Sequence, residues 1–281
     1  NSSLTVPPFA GDSGDTGLAR VRRAIADEVA ANAGLLAAFA VPVDGWSRYF
    51  GALVSNACRG PAELYLDSPR VDQRAPTQLY DRFKRLTATA REDVLLSSPY
   101  LIPDREFVDE LAALVARGVR VRILTNSLAS NSHLVAHSGY KKWRRQLLRA
   151  GVELYEMRAA PAVLDNFATP PVQPEKLALH TKAVVIDGRW TFIGSPNVDP
   201  RSMVLNTEIG LVADDPEFAA EVAAILERDM RPENAWRVTM DEEGWLHWTR
   251  GNREVNRQPA LGFGQRAMEF FLNLIPIKNQ T

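Results

Sequence analysis

The 281 residues carry 33 basic and 34 acidic side chains, a formal net charge of -1, and 46% of them are hydrophobic. That is ample material for a sizeable core, and the balanced charge argues against a protein that holds nucleic acid through a general positive field. One cysteine, Cys58, excludes a disulfide framework and a cysteine-based zinc site and points to a reducing compartment.

In chain order, residues 1–16 are rich in Ser, Gly, Asp and Pro and read as a loop or loosely held arm. The chain starts at Asn1 with neither a basic nor an apolar leader region, which reads as truncation and not as a secretory signal. Leu18, Val21, Ile25 and Val29 recur at helical spacing, and 46–57 predicts a second helix. No run reaches the roughly 18 apolar residues of a membrane span, since 35–43 is interrupted by Pro42 and ends at Asp44.

Strands are then predicted at 62–66, 93–97, 119–125 and 152–156, alternating with helices at 77–91, 104–117 and 137–150. Asp104 is placed to open its helix, and Gly118 and Gly151 to stop theirs. Further strands at 191–194 and 208–212, a helix at 216–227, and a hairpin of 237–240 with 245–249 around 241–244 complete the pattern. Such alternation implies a layered α/β domain.

The chemistry concentrates in one stretch. Ala183 to Ile186 is an apolar run that reads as a buried strand, and period-two alternation ahead of it puts His180 and Lys182 on one face. Asp187, Gly194, Ser195, Asn197 and Glu208 follow. A phosphodiester repels nucleophiles, so its site must neutralise the phosphoryl oxygens while delivering a nucleophile on one side and a proton on the other. Lys182 and Asn197 suit the first task, with Ser195 as a further donor. His180, with an ordinary pKa of about 6.5, suits the second.

Together these residues resemble the HxKxxxxD motif of the phospholipase D superfamily, with its GSxNxDxRS extension at 194–202. The flanks at 97–103, 126–130, 150–156 and 271–276 look like bacterial cardiolipin synthases, and the likeness spans roughly 62–277. The resemblance implies a phospholipase D-like layered α/β fold, a mixed β-sheet flanked by helices. It divides the chain into an arm and helical linker (1–60), a catalytic half-domain (61–235), and a hairpin and helix packing on the domain or a membrane (236–281).

It further implies that two half-sites meet, that one histidine forms a phospho-histidine intermediate, and that the other protonates the leaving alcohol. His180 is read in the second role. Glu208 is implied to accept a hydrogen bond from its ring, and Asp187 to be structural support or simply a turn residue. Members normally carry two such motifs and one stands here, so the second histidine is expected upstream or on a second subunit. No metal and no cofactor are implied. The loop and helix lining the entrance nominate Asn126, Ser127, His137 and Tyr140 as head-group contacts.

The reading that follows is transfer of a phosphatidyl group between phospholipids at the cytoplasmic side of the bacterial inner membrane, with no nucleic acid as partner. A single-motif nuclease or phosphodiesterase completed by homodimerisation is the alternative. A silent membrane-binding module is disfavoured because every phosphate-contacting position is filled.

Three features stand outside the motif. His133 and His137 are one helical turn apart, but no Glu follows the first, so the zinc-protease pattern fails. Lys141, Lys142, Arg144, Arg145 and Arg149 form a basic run that is either a solvated face or a membrane contact. The apolar ending with Met268, Phe270 and Phe271 reads as the last core helix in preference to an interfacial one.

Overall fold

A computed structural model describes residues 14–34, 45–55, 57, 60–67, 78–167 and 174–274. They fall into two units. The first holds helices α1 (Gly14–Ala31) and α2 (Gly45–Ser55). Leu18, Ile25 and Val29 of α1 recur as expected, yet they and Phe50, Leu53 and Val54 of α2 are exposed. Most of the expected arm at 1–16 and the 35–43 run lie outside the described residues.

Among the described residues the second unit is built on one ten-stranded sheet. Its strands are β1 (Ala62–Leu66), β2 (Asp93–Ser97), β3 (Arg120–Asn126), β4 (Glu153–Met157), β5 (Ala183–Ile186), β6 (Trp190–Gly194), β7 (Ile209–Asp214), β8 (Ala235–Met240), β9 (Leu246–Arg250) and β10 (Arg253–Val255). They lie in the order β1-β7-β6-β5-β2-β3-β4-β8-β9-β10. Only β2–β3 and β3–β4 are parallel, because only these pairs are joined by helical crossovers, α4 (Arg105–Ala116) and α5 (Leu134–Arg149). The hairpin expected around 241–244 forms, and it continues the main sheet because β8 pairs with β4. The short β10 carried no sequence signal strong enough to predict.

Alternation along the central strands divides the core in two. Val94, Leu96, Ile123, Val184 and Ile186 face one way and pack with Leu79 and Phe83 of α3 (Gln78–Ala88), Phe107 and Leu111 of α4, and Leu147 of α5. Leu95, Leu124, Ala183 and Val185 face the other way, under Ala219, Val222 and Leu226 of α6 (Pro216–Met230). Burial on this scale contributes about 1.5–3 kcal/mol for each large aliphatic side chain, which is what fixes the register of the strands. The helix ends follow their sequence signals. Asp104 accepts from Phe107 N at 2.8 Å, and Gly118 and Gly151 take φ of 88° and 85°, a conformation that costs glycine little.

The last helix, α7 (Phe263–Leu274), corrects an expectation. It turns Glu269 inward to Lys141 Nζ at 2.9 Å and leaves Met268, Phe270 and Phe271 exposed, so it is not a core helix. Among the described residues no helix is long and apolar enough to cross a membrane.

Candidate active site

All four residues of β5 are buried, which seats the strand centrally between β6 and β2. Both neighbours run antiparallel to it. Their carboxyl-terminal ends, Ser97 and Gly194, therefore meet the point where β5 begins, and β7 starts beside Gly194. His180, Lys182, Ser195, Asn197 and Glu208 all gather at this end of the sheet. Gly194 is required there: a Cβ would lie 2.5 Å from Ile209 O.

The paired strand is the apolar run itself, Ala183–Ile186, and the alternating residues ahead of it are not paired, so His180 and Lys182 lie on its approach. They still converge. Lys182 Nζ is 3.3 Å from each imidazole nitrogen and 3.0 Å from His180 O. The adjacent ammonium is the main reason the His180 pKa falls below its ordinary value, with burial and His133 adding to it. Burial lowers the Lys182 pKa in turn, against the pull of Glu208 and Asp199. His180 is exposed at the lip of the site, and its ring is biased toward the neutral form.

Glu208 does not hold that ring. Its carboxylate accepts from Ser195 Oγ and from Asn206 Nδ2, the latter at 2.9 Å. Ser195 Oγ also accepts from Ile209 N at 3.0 Å. The expected Glu208–His180 bond and the expected Ser195 phosphate contact are both corrected: the serine hydroxyl proton is already committed to Glu208. These two residues brace the start of β7 behind Lys182.

Asn197 sits in a turn knitted by its own neighbours. Its N–H donates to Ser202 Oγ at 3.1 Å, and Ser202 N donates to Asp199 Oδ1 at 2.9 Å, before the single π-helical turn Arg201–Leu205. The Asn197 Oδ1 is buried and has no hydrogen-bond partner among the described residues. With Lys182, Ser97 and Ser98 it lines a recess whose floor is Phe83, Phe192 and Met203. Burial raises the Asp199 pKa.

Asp187 stands at the opposite end of β5. Seven residues of extended chain separate it from His180, on the order of 20 Å. Its carboxylate accepts from the N–H groups of Arg91, Glu92 and Asp93 at 2.9, 2.8 and 3.0 Å, and its φ is 51°. This is a turn and backbone clasp, so Asp187 is removed from the group that can touch substrate.

The four residues nominated as head-group contacts are interior. Asn126 Nδ2 donates to Leu179 O and Asn126 Oδ1 accepts from Leu179 N, both at 2.9 Å, so it positions the residue next to His180. Ser127 and Ser130 share a hydrogen bond at 3.2 Å beneath it. His137 bonds Gln258 Oε1 at 3.1 Å, and burial pushes its pKa down to about 3. Tyr140 donates to Glu156 Oε1 at 2.8 Å. Each of these polar side chains turns inward to a partner within the protein, which leaves none of them at a mouth.

His133, by contrast, reaches the site: its charge bears on His180, and its ring packs edge-on to Tyr100 at 5.5 Å. Position 133 ends the loop just before α5, which turns His133 and His137 in different directions. Among the described residues no group of three or more His, Cys, Asp or Glu is placed to hold a metal.

The basic run is also divided. Arg144 is 1% exposed and pairs with the fully buried Glu156 at 2.9 Å, and Lys141 pairs with Glu269. Lys142, Arg145 and Arg149 remain at the surface. The Glu in a buried strand was the one sequence signal for this pair.

Residues 83–230, just over half of the chain, match the family model "Cardiolipin synthase, PLD-like domain". The chain belongs to the phospholipase D superfamily. Within that superfamily it is 35% identical over 208 residues to cardiolipin synthase C of Escherichia coli, covering 72% of this chain and 43% of that protein. The chain thus spans less than half the length of that relative. Among solved structures, the phospholipase D family member Nuc from Salmonella typhimurium aligns over 62% of this chain and 97% of its own, with 15% identity and a TM-score of 0.43. Phosphatidylserine synthase of Haemophilus influenzae aligns over 63% of this chain and 39% of its own, with 15% identity and a TM-score of 0.46. The superfamily's layered α/β fold, a mixed sheet flanked by helices, is the fold described above.

Proposed function

We propose that this chain supplies one half-site of an enzyme that transfers a phosphatidyl group between phospholipids, as a cardiolipin synthase does. The observation that carries the reading is the His180–Lys182 pair: an exposed imidazole kept neutral by an ammonium 3.3 Å away, with Asn197 beside them. A bound phosphodiester places negative charge beside the ammonium and the imidazole. That charge offsets the effect of Lys182, lets the ring take up a proton, and leaves Lys182 to neutralise a non-bridging oxygen.

In the first step the histidine of a second motif attacks phosphorus, an N–P bond forms, and the P–O bond to the head-group alcohol breaks as His180 donates its proton to the leaving oxygen. In the second step the hydroxyl of another phospholipid attacks, the N–P bond breaks, and His180 recovers the proton. Asn197 Oδ1, a buried acceptor with no partner among the described residues, suits a donor on an incoming group. The second motif comes from another segment or another subunit. The exposure of Leu64, Leu66, Ile193, Ile209 and Leu211 on adjoining strands beside the site supports a covering partner there.

We further propose that the protein works peripherally at the bacterial inner membrane, on its cytoplasmic side. The test is conversion of phosphatidylglycerol in vesicles to cardiolipin and glycerol by the complete enzyme that contains this chain. His180→Asn is expected to abolish turnover. Near-normal rates in that variant, or metal-independent cleavage of DNA in place of lipid transfer, overturn the reading.

A further inference from the structure

On the far side of the sheet the chain builds a second concave surface. An open recess of about 610 Å³ is lined by Trp236, Arg253, Glu254, Arg257, Pro259 and Arg266. It lies at the β8–β10 edge. Six strand spacings, on the order of 25–30 Å across the sheet, separate β10 from β5 in the sheet order.

Its charge is unlike that of the molecule. The whole chain carries -1, yet Arg253, Arg257 and Arg266 converge here, with Arg250 and Arg158 close by. Among the described residues none of these five guanidiniums pairs with a carboxylate. The one acid in the lining, Glu254, is bound to His247 Nδ1 at 2.7 Å. The Arg250 and Arg253 guanidiniums lie 5.4 and 5.8 Å from the Trp236 ring, which helps to hold them near the recess. Arg158 feels the crowding, its pKa lowered by burial and then by Arg250 and Arg253. Like charges gathered around a cavity without counter-ions are what an anion would relieve, and forked guanidiniums match the oxygens of a phosphate.

The rim is apolar. Leu261 and Phe263 follow the lining residue Ala260 directly, Phe263 is 85% exposed, and Phe263, Arg266 and Phe270 share one face of α7 at spacings of three and four. A free phosphate needs no such rim. An anionic phospholipid in a bilayer offers both partners, a phosphate for the guanidiniums and an adjoining acyl region for the exposed phenylalanines.

We propose that this recess binds the head-group phosphate of an anionic phospholipid and docks the protein on the bilayer, as a site separate from the His180 cleft. It is independent of the catalytic reading. The experiment is sedimentation of the full chain with vesicles of phosphatidylcholine, with or without phosphatidylglycerol. The variants are Arg253→Gln/Arg257→Gln/Arg266→Gln and a control of equal charge change on α5, Lys142→Gln/Arg145→Gln/Arg149→Gln. The first triple variant is expected to lose affinity for the anionic vesicles by on the order of 100-fold, and the control by far less. Phe263→Ser/Phe270→Ser is expected to weaken binding while leaving its salt dependence in place. Equal losses in the two triple variants, or a loss under about threefold in the first, overturn the proposal. A parallel titration with inorganic phosphate, followed by Trp fluorescence, separates the sources. Saturation by inorganic phosphate with no vesicle binding overturns the lipid assignment too.

Discussion

Removal of the Glu156 carboxylate tests how this unit holds α5 to its sheet. Arg144, 1% exposed, faces Glu156 at 2.9 Å; Tyr140 donates to the same carboxylate at 2.8 Å and Trp248 Nε1 at 2.9 Å. The guanidinium also lies 4.7 and 5.1 Å from the Tyr140 and Trp248 rings. In Glu156→Ala the cation loses its carboxylate and keeps only neutral partners, Gln258 Oε1 at 3.4 and 3.5 Å and the two aromatic side chains. Stranding a buried charge costs about 3–5 kcal/mol, and the two orphaned neutral donors add about 1 kcal/mol between them once water enters the space left by the side chain. The total of about 4–6 kcal/mol is a large share of a typical 5–15 kcal/mol stability and lowers Tm by about 10–20 °C in a unit of this size. Urea unfolding followed by circular dichroism gives the loss. Glu156→Gln, which keeps one acceptor, is expected to lose about half as much, and Arg144→Met combined with Glu156→Gln less than the sum of the two single changes. A loss below about 1 kcal/mol in Glu156→Ala, or strict additivity in the double variant, would falsify the account of this network.

Lys182→Ala is expected to bring the His180 pKa back up toward its ordinary value, read from the imidazole protons by NMR titration, and to lower turnover of the complete enzyme by on the order of 10²–10³. An unmoved His180 titration would show that the ammonium is not what keeps the ring neutral. Asp187→Ala is expected to cost about 1–3 kcal/mol in unfolding experiments through the lost clasp on Arg91, Glu92 and Asp93, with turnover per folded molecule unchanged; a folded but inactive variant contradicts its placement away from substrate. The His247 pKa is raised by Asp241 and Glu254, so its contribution to stability is full below the unfolded value near 6.5 and disappears as pH rises through the higher folded value. The Tm difference between the parent and His247→Ala is accordingly expected to shrink from pH 6 to pH 9, and a difference that grows with pH contradicts the sign.

Where function follows from local periodicity, the sequence was readable. The run from Ala183 to Ile186 had to be a central strand, so the residues leading into it had to surface at one end of the sheet, His180 and Lys182 together. Asp104, Gly118 and Gly151 marked helix ends for equally local reasons. Illegible were the long-range choices. Nothing near Asn126 in sequence says that its amide pairs with Leu179 and not with a ligand, and nothing within the basic run singles out Arg144 as the one whose partner, Glu156, lies on a buried strand. Glu208 shows the same limit: its acid was correctly placed at the site's end of β7, but the choice among Ser195, Asn206 and His180 depends on sub-ångström packing that spacing does not encode. The head-group nominations failed because a polar segment with internal partners looks, in sequence, like a polar segment with external ones.

Asn126 leaves the site open to tuning from outside it. One amide reads both backbone groups of Leu179, as one base reads another, and this two-way grip admits few replacements. Aspartate offers two acceptors and repels Leu179 O. Serine falls short, and glutamine advances the whole segment by about one carbon–carbon bond, roughly 1.5 Å. Substitution 54 positions upstream of His180 therefore displaces the imidazole without altering any group that meets substrate, and misplacement of about 1 Å is enough to cost on the order of 10² in rate. Alleles or designs that change catalytic pace while sparing head-group preference have a natural address at this single side chain.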